Sequence, residues 1–587
     1  MRRARILLAI AVVGTLAFGQ TAGATSRSKA SSGSTTSSSS ARGHFRPLAP
    51  SQHRLHKTAA GAAQAGDSVS HYECRVNGKG LANVNLDCDG IFPNNEPHIA
   101  VDPTDPGHMV ASSNDYESCC DQWYTTFNGG KTWITGDISV ESPGRNKRTG
   151  SDPVTSFDRK HHTIIHSSLN YLNSGNCEDP NDVADGDVVV SISQDGGRHW
   201  NTVVQVANGG GRSSCESDGI FNDKEWITTD NNPASPHYGT TYVTWTTFFS
   251  GGREDGDDGG GEKGEPLAPA AIGEPGPQSP IYEAHSTDGG FTWTEPQEIS
   301  GQDPVLCSFE VADRPGACND DQFSVPSVAP DGTVYVTFIN DQNESLWEPG
   351  EQFDDQYLLV SSSDGGDSWS DPEFVTGIED GGRDMPRNVD GRQTLTDQQM
   401  RIPFTQGFVA DPTHNGRLYL AFADNRNGVH DSANPKTELD VFLMLKPNAA
   451  ASWVGPLNVN SPDNGRIGND QWFPWVDVNP NNGTVGVIYN DRRYSNHFKR
   501  YDATLAKSPA GGTAFTEHRV STRESHSRGS VFFRALAPHC MNCTRFHGDY
   551  ISIAYGSNGK ANLVWTDMRD VYAPIGRHLE FIYFDMR

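Results

Sequence analysis

Acidic residues recur at one position of a repeated pattern. Short β-branched and aromatic segments open as NNEPHIAVD (94–102), SDPVTSFD (151–158), NDKEWITTD (222–230), NDDQFSV (319–325), NDQWFPWVDV (469–478) and GDYISIA (548–554). Their leading acids are Glu96, Asp152, Asp223, Asp320, Asp470 and Asp549. A second recurrence, FADNR, YNDRR and WTDMR, aligns Asp424/Arg426, Asp491/Arg493 and Asp567/Arg569. Carboxyl groups gathered at one mouth can do acid–base work, and arginines can grip an anion through paired hydrogen bonds. Each set also has a plainer use. Asp and Asn cap turns, and each arginine can pair with the Asp two positions before it or with a strand-end carbonyl. Trp472, Phe473 and Trp475 can stack on a sugar ring or fill space between packed elements. No Gly-rich phosphate loop, Ser-His-Asp order or HExxH motif stands out.

The elements that must carry these residues read as strands. GTTYVTW (239–245), GTVYVTF (332–338), GRLYLAF (416–422), GTVGVIY (483–489) and KANLVW (560–565) alternate roughly and follow turn residues. No long segment has helical periodicity. A turn recurs as TFNGGKTW (126–133), SQDGGRHW (193–200), STDGGFTW (286–293) and SSDGGDSW (362–369), with weaker versions at PNAAASW (447–453) and SPAGGTAF (508–515). Paired glycines take backbone angles closed to other residues, and the Asp carboxylate can accept turn N–H groups. A unit of four short strands repeated in this way predicts an all-β fold, a β-propeller of four-stranded blades. Six units carry the turn or its remnant. DYISIAYG (549–556), KANLVWTDMR (560–569) and HLEFIYFDMR (578–587) supply three more strands. Seven blades are therefore expected, the last closed by an N-terminal strand from about 71–90, with six as the alternative.

These turns resemble the Asp-boxes (BNR repeats) of the sialidase-like superfamily, over about residues 90–587. The resemblance implies that the box joins the third and fourth strands of a blade and is structural. Strand starts and second-strand exits then share the opposite rim, because consecutive strands are antiparallel. It further implies an exo-acting glycoside hydrolase on an acidic glycan such as a sialoside. In that reading Arg426, Arg493 and Arg569 clamp the sugar carboxylate, while Asp152, Asp223 and Asp320 line the substrate site. Tyr550 attacks the anomeric carbon, and Glu96 or Asp470 supplies the proton, with Asp549 alongside. Two features depart from the family pattern. Its Arg-Ile-Pro signature is missing from the first strand and occurs instead mid-chain as Arg401-Ile402-Pro403. In a regular strand, moreover, Asp549 and Tyr550 face opposite ways. A non-catalytic propeller binding glycan, calcium or protein, and a uronate polysaccharide lyase, are the alternatives.

Composition bounds the rest. Arg2, Arg3 and Arg5 precede an apolar run from Ile6 to Phe18 and the small-residue site Ala22-Gly23-Ala24, the layout of a secretory signal peptide covering 1–24. Residues 25–70 are Ser/Thr/Ala-rich and read as a disordered linker. Residues 71–587 are the propeller, interrupted by an acidic Gly-rich insertion at 251–280. The chain is expected to be extracellular and monomeric. A formal charge of −28 disfavours nucleic acid and anionic lipid, and nothing implies membrane insertion. No cofactor is required by this reading; calcium would suit the charge, although EF-hand spacing is missing from the insertion. Ten cysteines suit export, with Cys74/Cys88, Cys307/Cys318 and Cys540/Cys543 as local disulfide pairs. His539, Cys540, Cys543 and His547 could be drawn as a zinc site, but oxidation favours the disulfide.

Overall fold

A computed structural model of the chain describes residues 72–75, 83–87, 93–116, 121–138, 149–171, 186–209, 220–249, 278–309, 314–348, 354–387, 393–398, 400–462, 468–495, 500–526, 546–572 and 577–587. The leader, the linker, nearly all of the acidic insertion, Cys88, and the 539–543 cluster lie outside them.

Seven antiparallel sheets follow one another along the chain. Blade 1 runs from Asn94–Val101 through Met109–Asp115 and Asp121–Thr126 to Thr132–Ile138, with Tyr72–Arg75 added at its outer edge. Blades 2 to 6 begin with the inner strands Thr149–Asp158, Ile220–Thr229, Asp321–Val328, Gly407–Ala410 and Gln471–Val478. Blade 7 contributes Ser552–Tyr555, Ala561–Asp567 and Phe581–Met586, and its outermost strand is Val84–Asn85 from the other end of the chain. Val84 pairs with Phe584 and Asn85 with Tyr583, so the N-terminal strand closes the ring as expected. The inner strands pack side by side, and that of blade 7 returns to that of blade 1. Closure leaves few open strand edges. Helix is limited to one 3₁₀ turn, Glu344–Leu346, among the described residues.

The glycine turns are stitches between blades. All six repeats of the turn, including 447–453, which has no glycine, connect third to fourth strands. In SQDGGRHW the Asp195 carboxylate accepts the backbone N–H groups of Arg198 at 3.1 Å and His199 at 3.0 Å, while Ser193 Oγ accepts that of Gly197 at 2.8 Å. Asp288 accepts Phe291 and Thr292 in the same way. The second glycine lies against the preceding blade. A Cβ on Gly197 would stand 2.8 Å from Thr125 Oγ1 of blade 1, and one on Gly290 3.0 Å from Ile165 Cδ1 of blade 2. Gly512 in the degenerate sixth turn meets Leu443 of blade 5 equally closely, at 2.8 Å. Chemistry has no room there.

Connections separate the two rims. On the turn side they are short, as at 159–162, 329–333 and 556–560. On the other side the strand ends are joined by longer stretches of chain, 299–320, 378–406 and 425–439 among them, described except for 310–313, 388–392 and 399. Long irregular segments gather where function needs variable side chains. Cys307 and Cys318 form a disulfide within 299–320.

Candidate active site

Five inner strands contain the same irregularity near their starts. In blades 1, 2, 3, 4 and 6 the register slips between Asn95/His98, Ser151/Val154, Asp223/Trp226, Gln322/Val325 and Trp472/Trp475. Each slip is a β-bulge, with one extra residue on the inner strand. Its leading residue is in every case left-handed and not glycine: Glu96 (φ 55°), Asp152 (60°), Lys224 (56°), Phe323 (55°) and Phe473 (54°). Such a backbone costs roughly 1–2 kcal/mol per residue, and strain of this kind clusters at functional sites. Repeated around the ring, the bulges re-aim side chains that plain alternation would send into the blades.

What they gather is acidic. Glu96 and Asp152 are hydrogen-bonded to each other. Asn114, on the second strand of blade 1, donates Nδ2 to Glu96 Oε2 at 2.7 Å and accepts the Asp152 N–H through Oδ1 at 3.0 Å. Burial first, then the charges of Asp152 and Asp549, hold the Glu96 carboxyl well above the usual range. Asp223 is pushed up to about 8 by burial and by Asp152 and Asp549, against the lowering effect of Lys224 and Arg401. Glu225 is fully buried, its oxygens meet no donor beyond its own backbone N–H among the described residues, and burial with Asp152 raises it too. Burial first, and the crowding of negative charge second, favour the neutral forms of these groups.

Two cations answer them. Arg401 is ion-paired with Asp549 Oδ2, and its guanidinium lies 4.5 Å from the Phe546 ring centroid. Lys224 Nζ stands 3.6 Å from the centroid of the Tyr550 ring and finds no hydrogen-bond acceptor in the described protein, although the residue is buried. Tyr550 is buried, and its hydroxyl lies 3.5 Å from the carbonyl oxygen of Pro153 in the blade 2 bulge. Burial, then Glu96, Asp152, Glu225 and Asp121, raise its phenol well above the ordinary value. Trp226 meets Tyr550 edge-on at 5.1 Å and stacks on Trp475 at 4.6 Å. A small pocket opens between Lys224, Trp226, Phe323, Gln406, Trp475 and Tyr550. Beyond Glu225, His166 bonds Asp121 at 3.0 Å in a buried pair.

Of the residues singled out from sequence, Glu96, Asp152, Asp223, Asp549 and Tyr550 thus meet. Residues 549–551 precede the regular strand that starts at Ser552, so the expectation that Asp549 and Tyr550 must face apart is corrected. The other candidates lie elsewhere. Asp320 accepts Ser279 Oγ at 3.3 Å beside the third strand of blade 3, and Asp470 is buried against Arg492 at 2.7 Å. Both stand three positions before the bulge residue, too early to be turned inward. The three-arginine clamp is also corrected. Arg426 bonds Asp424 at 2.6 and 2.8 Å and lies 4.6 Å from the Phe442 ring. Arg493 bonds Asp491 at 2.7 Å and Ser461 O at 2.9 Å, and is ion-paired with Glu517. Arg569 bonds Asp567 at 2.5 Å and Asn83 at 2.8 Å, 4.4 Å from the Tyr583 ring. Each guanidinium is taken up within its own blade or at its edge. Trp472 packs on Tyr501 and His547, inside the core.

Nothing in the sequence alone singles out Lys224, Glu225 and Asn114, and Arg401 stands far from the first strand, where the family's signature would put it. A usable signal of the bulges was present. Pro97, Pro153 and Pro474 follow bulge residues, and proline inside a sheet is confined to edges and bulges.

No family model matches the chain, and no curated protein matches it in sequence. Among solved structures it is similar to the Hadza microbial sialidase Hz136, at 15% identity and TM-score 0.37, over 82% of this chain and 73% of that one. It is similar to the GH93 α-L-arabinofuranosidase of Fusarium graminearum solved with arabinobiose, at 13% identity and TM-score 0.40, over 76% and 98% of the two chains. The NanB sialidase from Streptococcus pneumoniae stands at 8% identity and TM-score 0.37, over 82% and 83%. Likenesses this loose bear on neither substrate nor mechanism.

Proposed function

We propose that the protein is a glycoside hydrolase working at the long-loop mouth of the propeller, with Tyr550 as nucleophile, on a glycan that carries a carboxylate. The observation that carries the reading is the setting of Tyr550, a buried phenol beside the hydrogen-bonded Glu96–Asp152 pair. A phenol so raised is inert until a base takes its proton as it attacks. The member of the Glu96–Asp152 pair that does not hold the pair's proton is the group at hand for that. The Tyr550 oxygen then bonds the anomeric carbon while the glycosidic C–O bond breaks, and the leaving oxygen takes a proton from Asp223, which keeps its own up to about pH 8. Water later displaces the phenolate, Asp223 accepts a proton from the attacking water, and the Glu96–Asp152 pair returns its proton to the Tyr550 oxygen. A neutral nucleophile suits an anionic sugar, which a carboxylate would repel. Lys224, without a protein acceptor, is the cation for the sugar carboxylate. Secretion, inferred from the leader pattern, would bring the enzyme to extracellular glycans.

The secreted chain incubated with fluorogenic sialosides and a panel of uronic-acid glycans tests this. Released sugar that disappears with Tyr550→Phe supports it. Ultraviolet-absorbing unsaturated products would replace hydrolysis by elimination, and saturable binding without product would leave a glycan-binding propeller.

A further inference from the structure

A second group of ligating side chains lies on the same rim but in a different seam, between blades 4 and 5. A carboxylate oxygen of Glu379, one of Asp384 and an imidazole nitrogen of His430 all lie within 4.8 Å of one another. The fourth strand of blade 4, Glu373–Gly377, leads directly into Glu379 and Asp384. His430 belongs to the connection between Leu418–Asp424 and Asp440–Lys446 of blade 5. Asp384 is fully buried, whereas Glu379 and His430 are partly open to solvent.

The backbone holding these side chains is fixed from one point. Asn425, fully buried, donates its N–H to the Glu379 carbonyl at 3.0 Å and its Nδ2 to the Asp384 carbonyl at 2.5 Å. Its own carbonyl accepts Gly428 N–H at 2.8 Å, closing the turn that leads to His430. Arg383 donates Nη2 to the His430 carbonyl at 3.2 Å, and its own carbonyl accepts Asp431 N–H at 2.9 Å. Two connections from different blades are thus tied so that their ligating atoms face one another. Such support beneath the ligands is what a metal centre requires.

We propose that Glu379, Asp384 and His430 bind a zinc-class divalent cation. Three protein ligands of mixed nitrogen and oxygen type, with an open side left to water, are a recurrent zinc arrangement. Tetrahedral ligands about 2.0–2.2 Å from such an ion stand about 3.3–3.6 Å apart, so a group spanning up to 4.8 Å closes by about an ångström at its widest, and His430 Nδ1, ion-paired with Asp384 Oδ1, turns from it to the ion. An imidazole among so few ligands disfavours calcium, which takes six to eight oxygens. The site is separate from the Tyr550 centre, and neither needs the other to exist. It bears on that centre through the chain, because the 378–406 connection that supplies Glu379 and Asp384 also delivers Arg401 to Asp549.

The full secreted chain, stripped with chelator and dialysed, is titrated calorimetrically with Zn²⁺ and, separately, with Ca²⁺. One zinc equivalent is expected with micromolar or tighter affinity and a raised melting temperature, and calcium should bind at least tenfold more weakly. Glu379→Gln and His430→Ala should each weaken zinc at least tenfold. Should a variant misfold, Co²⁺ bound to the unmodified chain gives a second readout, visible absorption of a mixed nitrogen–oxygen site that zinc bleaches. No stoichiometric uptake, or zinc affinity unchanged in both folded variants, would mean that His430 Nδ1 and Asp384 Oδ1 serve only as the ion pair they form in this structure, and would overturn the proposal. Because no sugar enters the experiment, its failure leaves the hydrolase reading untouched.

Discussion

Two neighbouring glycines separate what a turn needs from what a blade seam needs. Gly129 and Gly130 both have positive φ, at 69° and 78°. A Cβ on Gly129 meets nothing nearer than Met586 Cε at 3.8 Å, so Gly129→Ala carries only the left-handed penalty, roughly 1–2 kcal/mol. A Cβ on Gly130 would stand 2.5 Å from Phe584 Cε1 and 3.0 Å from its Cζ. That ring is fully buried and packed edge-on against Trp133 at 5.0 Å, so it cannot swing aside. Overpacking a core adds about 1–3 kcal/mol. Gly130→Ala should therefore lose about 2–5 kcal/mol in all, exceeding its neighbour by the overpacking cost. Phe584 belongs to blade 7 and Gly130 to blade 1, so the clash falls where the ring closes. Urea unfolding followed by tryptophan fluorescence reads the difference as a lower midpoint for Gly130→Ala. Equal midpoints for the two variants would refute the idea that the second glycine is where one blade rests on the next.

Other expectations follow from the same contacts. Arg569→Met should cost about 3–5 kcal/mol, because it strands the buried Asp567 carboxylate, yet leave KM unchanged; urea unfolding and steady-state kinetics read the two effects. Glu96→Gln should lower kcat by about 10²–10⁴ on any glycan the wild type cleaves, with no loss of melting temperature, since it removes one of several crowded acids. Asp223 releases its proton near pH 4 when unfolded and at about 8 when folded, so the stability it contributes is full below pH 4 and lost as pH rises to 8. Asp223→Asn should match the wild type in thermal unfolding at pH 4–5 and exceed it at pH 8; a constant gap at both pH values would contradict the assignment.

How far the sequence could be read depended on whether a feature obeys local rules. The turn at 286–293 announces itself because Asp288 and its two glycines act within eight residues, and so does the strand that follows each short loop. The count of seven follows from three leftover C-terminal strands that needed a fourth. The site was half legible. Carboxylates at strand starts were visible, but which of them face the centre is decided by a bulge, and a bulge changes the facing of every residue after it. Asp152 and Asp470 look alike in sequence and part company because one is the bulge residue and the other lies ahead of it. The arginines misled for a related reason. A D-x-R recurrence is equally the signature of a side chain folding back on its own Asp, as Arg426 does on Asp424. Arg401 could not be placed without the path of the 378–406 connection, which no local pattern encodes.

Tyr550→Phe removes one oxygen atom from the centre and leaves the ring stacked beneath Lys224. Steady-state turnover of this variant and of the wild type should be compared on the panel glycan that the wild type cleaves fastest. Activity falling to background, with the same melting temperature, is the predicted result; a variant that turns over as fast as the wild type would contradict the account.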